Sequence, residues 1–308
     1  MGREGTSGEL ILHFGMQKTG SSSIQLWLYR HLADPKFCYV HFGAANSSPM
    51  VVAGFSSKPA AFYRHRLEAT PTAEIERLRA NARERLDEEL KHLGSRTGVV
   101  SAESLTNFTE RELEGLCSEM ERHGGRRIRA VGYLRRPREF MESAFQQRLK
   151  ADLGELDIYR LYPEYARKLK KFDSVLGKSN VEIWLFEPKC FPGGCVVQDF
   201  CQRLGIAFSG SRVKRVNEAL SLPAVSLLYA YRKYGPGFGT GPQAFRENEL
   251  LVRALRELEG PKFRFHTSLV DPVLEAKRDD IKWAEERIGE GWLKLEVQHP
   301  HLRGRVST

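Results

Sequence analysis

The sequence predicts an α/β fold of three layers, with a central parallel sheet of about five strands flanked by helices. Three observations predict it. Short β-rich runs recur from Leu10, at Phe37 to Phe42, at Thr97 to Ser101, at Ile128 to Leu134 and at Val181 to Phe186. Between them, apolar residues return at steps of three and four, the period of an amphipathic helix. Strand and helix alternate, which is the order of a parallel sheet with helical connections on both faces.

The first apolar run, Leu10-Ile11-Leu12-His13-Phe14, leads into Gly15-Met16-Gln17-Lys18-Thr19-Gly20-Ser21-Ser22-Ser23, and a helix is expected from Ile24 to Leu32. N–H groups at a helix start carry partial positive charge and have no intrahelical acceptor, so such a turn binds anions. Gly15 and Gly20 allow a sharp turn and close approach of a ligand. Lys18 stands at the positive end of the helix, where a cation is unfavourable unless an anion joins it. A nucleotide loop of the form GxxxxGK[ST] puts its lysine after the second glycine. Here Lys18 precedes Gly20, which argues against an ordinary ATP or GTP loop. His13 falls inside the first strand and reads as a packed core histidine.

Phe37 to Phe42 is the second strand, with His41 near its end. Gly43 to Pro59 is rich in Gly, Ser, Ala and Pro and reads as a surface loop over a site. Thr70-Pro71 opens a helix as N-cap and first-position proline, with Ile75, Leu78, Ala82, Leu86, Leu90 and Leu93 as its apolar stripe. The third strand, Thr97 to Ser101, delivers Glu103 just past its end. Thr109 and Glu112 form a capping box ahead of Leu113, Leu116, Cys117 and Met120. After the fourth strand, Pro137 begins a helix with Phe140, Met141, Ala144, Phe145 and Leu149 on one face. Further helices are expected from Tyr159 to Leu176 and from Cys195 to Leu204, the latter closed by Gly205. From Leu220 the pattern is helical, broken by the glycine-rich stretch from Gly235 to Pro242.

A second cation cluster, Arg135-Arg136-Pro137, stands where the fourth strand meets the next helix. In a parallel sheet, ligands collect beyond the strand C-termini. Strands one and four therefore present Lys18 and Arg135 at one edge, which suits a ligand with two separated phosphate-type groups. Ser143 follows on the same helix. Arg136 reads as a surface residue.

The loop Gly15-Met16-Gln17-Lys18-Thr19-Gly20-Ser21-Ser22-Ser23-Ile24-Gln25, together with Tyr133-Leu134-Arg135-Arg136-Pro137 and Ser143, resembles the sulfotransferases that use 3′-phosphoadenosine 5′-phosphosulfate, in the form common among bacterial carbohydrate-type enzymes. More loosely, Val181 to Phe186, Asp199 to Ile206 and Asn217 to Ser221 follow that family's layout, so the resemblance covers roughly the first three-quarters of the chain. It implies a P-loop-like fold and in-line transfer of a sulfuryl group to a hydroxyl acceptor, in the first instance a carbohydrate. It implies that Gln17, Lys18, Thr19, Gly20, Ser21, Ser22 and Ser23 hold the 5′-phosphosulfate, with Lys18 catalytic. Arg135 and Ser143 would hold the 3′-phosphate. No metal is implied. Glu103 is the first choice for the general base, since carbohydrate sulfotransferases often use a glutamate; a surface or capping carboxylate is the alternative at that position. His41, and His65 within Phe62-Tyr63-Arg64-His65-Arg66, are further candidates, each as the base or as an acceptor contact.

Composition bounds the rest. The 308 residues fit a single domain, with 1–8 and 301–308 as tails. A net charge of +9 suits acidic ligands, but the 48 basic and 39 acidic residues are interleaved, unlike the clustered basic face of a nucleic-acid or polyanion binder. A nucleotide kinase, the rival enzyme, needs the Gly-Lys-Ser/Thr order that is missing. The five cysteines form no CxxC pair or metal pattern and suggest free thiols in the cytoplasm. No apolar run approaches the ~18 residues of a membrane span, and Met1 to Glu9 has no apolar signal core. Oligomeric state is not encoded in any motif found.

Overall fold

The computed structural model describes residues 8–62, 70–122, 125–151, 155–209, 219–235 and 242–289. His65, Asn217, Glu218, the interior of the glycine-rich stretch, residues 1–7 of the first expected tail and all of the second, 301–308, lie outside the described residues. Five strands, β1 (Leu10–His13), β2 (Phe37–Tyr39), β3 (Thr97–Ser101), β4 (Ile128–Leu134) and β5 (Val181–Leu185), form one sheet in the order β2-β3-β1-β4-β5. Every pairing is parallel. β1 lies at the centre, with Leu10 opposite Gly98 of β3 on one side and Ile128 of β4 on the other. The chain order reverses there, and the crevice beyond the C-termini of β1, β3 and β4 is where a ligand is expected.

Side chains alternate across the sheet, so each strand feeds two cores. Ile11, Val99, Val131 and Tyr133 face one side, which is covered by α1 (Ser21–His31) through Ile24, Trp27 and Leu28 and by α7 (Val196–Leu204) through Val197, Phe200 and Leu204. Leu10, Leu12, Val100, Ala130 and Leu134 face the other. That side carries α2 (Ser48–Phe55), α3 (Thr72–Lys91), α4 (Glu110–Glu121), α5 (Pro137–Ala151), α6 (Tyr165–Leu176), α8 (Leu222–Tyr234), α9 (Pro242–Arg256), α10 (Thr267–Ala276) and α11 (Arg278–Ile288). The result is the expected three-layer α/β fold. It is uneven, with a thin cover on one face and a thick one on the other. Among the described residues, no helix is long and apolar enough to cross a membrane.

Four local expectations are corrected. The stretch read as the loop Gly43 to Pro59 contains α2, whose Val51, Val52, Ala53 and Phe55 are buried. Its Gly, Ser and Pro content concealed an apolar Met-Val-Val-Ala run that packs on α3. Arg79 and Arg83 of α3 donate to the carbonyls of Ala53, Gly54 and Ser56 and so satisfy the helix end. The helix expected from Tyr159 to Leu176 is a 3₁₀ turn (Tyr159–Leu161) followed by α6. Pro163 cannot continue the first turn, and Glu164 turns the chain with a φ of 51°. Pro71 is the N-cap of α3 rather than its first residue. The first helix begins at Ser21, directly after Gly20. The Thr109–Glu112 capping box forms as expected.

Candidate anion-binding active site

The loop after β1 is held by its own polar groups. The Thr19 hydroxyl donates to the Met16 carbonyl at 2.5 Å, and the Ser21 hydroxyl reaches the same oxygen at 3.4 Å. Lys18 has a φ of 68° and Gly20 a φ of 77°, so two residues of the left-handed region lie within three positions. That conformation is costly for lysine and open to glycine. A Cβ at Gly20 would also come within 2.7 Å of Val196 on α7. The N–H groups of Ser21 and Ser22 open α1, where no intrahelical acceptor exists. They and the Lys18 side chain border the same space.

That space is a cleft of 2280 Å³ at the C-terminal edge of the sheet. Gln17, Lys18, Gly20, Ser21, Ser22, Ser23, Glu103, Arg135 and Ser143 all line it. Thr19 does not. Its side chain is fully buried and braces the loop instead. Arg135 leaves β4 and spans to the loop, donating from Nη1 to the Lys18 carbonyl at 3.3 Å and from Nε to Glu139 at 3.3 Å. Its guanidinium stands 5.7 Å from the Phe186 ring centroid. The Tyr165 hydroxyl fixes the Arg135 carbonyl. Arg136 corrects the sequence reading. It is buried and ion-paired with Glu187, so it anchors the turn after β5 rather than facing solvent.

Glu103 opens a 3₁₀ turn (Glu103–Asn107) just past β3. Burial pushes its carboxyl up to about 7, against the opposing pull of the Lys18 charge. The Lys18 ammonium is lowered by burial; Glu103 opposes that shift and Arg135 adds to it. A carboxyl and an amine that line the same cleft thus feel each other's charge, each with its proton affinity moved toward neutrality. The turn is tied down from two sides. The Ser104 amide donates to the Ser48 hydroxyl of α2 at 3.2 Å. From beneath, the buried Lys171 ammonium donates to the carbonyls of Thr106 and Phe108 at 2.7 and 2.5 Å. Burial first, then Arg167, pushes Lys171 down to about 7. Glu112 ties the end of α2 to α4 by accepting from Ser56, Ser57 and Thr109.

Of the two histidines expected at the acceptor side, the one among the described residues is not brought to the cleft. His41 lies outside its lining, accepts from the Gly43 amide at 3.1 Å and stands edge-on to Tyr29 with its Nε2 3.9 Å from Glu89. His65 is outside the described residues. His13 is a core residue, as read. Its Nδ1 lies 2.7 Å from the Ser101 hydroxyl, and burial pushes it down to about 3, so it is neutral.

Sequence reasoning missed three lysines. Lys262 lines the cleft from a segment without a motif. A β-bridge between Ser221 and Lys262 places it, and next to it Arg264 and the Phe265 amide bond Glu142, the neighbour of Ser143. Lys262 is lowered by burial and by the cations Arg264 and Arg135. Lys150 lines the far end of α5 and is pushed down to about 8 by burial, Arg256 and Lys18. Its spacing from Ser143, on the same helix face, was the available signal. Lys171 gave none, because only the tertiary fold places it under the Glu103 turn.

No family model matches the chain. Among solved structures, it is similar to a sulfotransferase from Alicyclobacillus acidocaldarius, at 17% identity over 85% of this chain and 98% of that one, with a TM-score of 0.41. It is also similar to the sulfotransferase domain from the curacin biosynthetic pathway, at 14% identity over 88% of this chain and 98% of that one, with a TM-score of 0.39. An uncharacterised protein of Archaeoglobus fulgidus is 29% identical over 104 residues. That match takes in 33% of this chain and 29% of that relative's length.

The cleft's own chemistry narrows what it can do. Lys18, Arg135 and Lys262 gather at one end with the start of α1, and each lysine has a lowered proton affinity that an anion would restore. Glu103, with a proton affinity near neutral pH, is suited to accept a proton in the same space.

Proposed function

We propose that the protein is a sulfotransferase that moves the sulfuryl group of 3′-phosphoadenosine 5′-phosphosulfate to a hydroxyl acceptor, a carbohydrate or glycan. The observation that carries this reading is that Glu103 and Lys18 line one cleft, within reach of each other's charge, beside a second cation, Arg135, tied to the same loop. On this reading the N–H groups of α1 and the serines of the loop hold the 5′-phosphosulfate. Arg135, Ser143 and Lys262 hold the 3′-phosphate. Glu103 takes the proton from the acceptor hydroxyl as the acceptor oxygen bonds to sulfur in line. The bond from sulfur to the bridging oxygen breaks on the opposite side, and Lys18 neutralises the charge that grows on that oxygen. The products are the sulfate ester and adenosine 3′,5′-bisphosphate, with the proton left on Glu103.

Polar groups along the other wall, among them Asn46, Ser48, Ser57 and Asn107, support a polyhydroxyl acceptor. The test is calorimetric titration of adenosine 3′,5′-bisphosphate against ATP–Mg²⁺, with wild type and Arg135→Ala. Bisphosphate binding that weakens in the variant supports the donor site. Preference for ATP, or no binding of either nucleotide, sinks it.

A further inference from the structure

The outer face of α8 is built unlike a solvated helix. Leu227, Tyr231 and Tyr234 are 57%, 40% and 77% exposed, and their steps of four and three put them on one stripe. No acidic residue occurs in Leu222–Tyr234. The Lys233 ammonium lies among the aromatic rings, 5.3 Å from the Tyr234 centroid and 5.7 Å from that of Tyr229. α9 extends the pattern. Leu250 is 65% exposed, and Arg246 and Arg253, four positions before and three after it, are exposed on the same stripe. Arg232 joins the two helices by donating to Asn248. Together they carry five Arg or Lys residues against two Glu. Large apolar and tyrosine side chains outward, with cations around them, are the composition of a helix that lies in a membrane interface. Tyrosine in particular favours the headgroup level.

We propose that α8 and α9 form a docking face for an anionic lipid bilayer, with Leu227, Tyr231, Tyr234 and Leu250 entering the headgroup zone and Lys233, Arg246 and Arg253 meeting lipid phosphates. Charge selects this occupant over a second copy of the chain. A two-fold contact would set this patch, with five Arg or Lys against two Glu, against itself, so that its excess positive charge would face its own counterpart. The proposal is independent of the chemistry in the cleft.

Flotation of the full chain with vesicles tests it, using phosphatidylcholine alone and phosphatidylcholine with roughly 30 mol % phosphatidylserine. Wild type is expected to float with the anionic vesicles at least about fivefold more than with the neutral ones, and to be released by salt. Leu227→Asp/Tyr234→Asp, at exposed positions, is expected to lower the bound fraction about fivefold with the melting temperature unchanged. Lys233→Glu is expected to weaken binding to anionic vesicles only. The proposal is overturned by absence of binding, by equal binding to neutral vesicles, or by binding that survives the double variant. A concentration-dependent dimer that the double variant abolishes also overturns it and assigns the face to a second copy.

Discussion

On one side of the cleft, the β1–α1 loop and the head of α5 present their ligand groups through local chain geometry: a left-handed lysine, a glycine and the first turn of a helix. On the other side, α2 and the Glu103 turn hang on bonds that reach between 55 and 65 positions along the chain, from Glu112, Ser48 and Lys171. The first wall's anion donors are set by local geometry, although Arg135 reaches the loop from 117 positions along the chain. The second has its shape only once the whole thick layer has packed. On the proposed reading, the difference teaches that donor binding and proton transfer, although they share one space, rest on separable parts of the fold.

Glu103→Gln is the sharpest way to separate them. It is expected to lower kcat by roughly 10³ by removing the general base. The bisphosphate affinity should stay within about twofold, because the loop wall is untouched. In the wild type, kcat should rise with pH through about 7 and then level, since the ionised carboxylate is the active form. A variant with wild-type turnover would remove Glu103 from the mechanism.

The same substitution should move stability in the opposite sense. Between the ordinary glutamate value of 4.5 and about 7, the folded state holds a proton on Glu103 that the unfolded state has lost. Stability therefore falls as pH rises through that window. At pH 8 the raised carboxyl costs about 3 kcal/mol at most, and Glu103→Gln should raise the melting temperature there but not at pH 4. Thermal melts of both proteins at the two pH values measure it.

Arg135→Ala attacks the loop wall instead. It removes both a cation facing the ligand and the bond to the Lys18 carbonyl, and should weaken bisphosphate binding about 30-fold by calorimetry. Turnover at saturating donor should fall far less than it does for Glu103→Gln. Lys171→Met, beneath the other wall, is expected to have the smallest effect, about tenfold on kcat with bisphosphate affinity unchanged. It orphans the carbonyls of Thr106 and Phe108, so the melting temperature should drop as well. If Lys171→Met weakens bisphosphate binding as much as Arg135→Ala does, the two walls are not separable.

The same division decides what the sequence disclosed. β3 and β4 fall on the expected residues, and all five strands are found, because strands covered on both faces leave a dense apolar signal. The loop residues other than Thr19, with Arg135, Ser143 and Glu103, come together in one cleft because their segments follow directly on strand ends, where parallel topology leaves little freedom. α2 was concealed, since its helical state comes from burial on α3 and not from propensity. Arg136 looked exposed by its type, yet Glu187 allows it to be buried. Lys171 and Lys262 act through contacts made only in the folded chain, and no spacing in the sequence announces them.

Lys262 and Arg264 give the molecule a built-in order of events. The end of α5 that carries Ser143 is clamped through Glu142 by Arg264, and Lys262 reaches the cleft from the same late segment. During synthesis the loop at Gly15 and Arg135 come before Lys262, which joins them at the cleft only once the chain has been made past residue 264. A growing polypeptide thus carries an incomplete pocket until that segment has been made and folded. On the proposed reading, full-strength nucleotide capture then becomes a certificate that the segment carrying Lys262 and Arg264 has docked. Donor-induced protection from proteolysis would read completion of the fold as well as occupancy of the site.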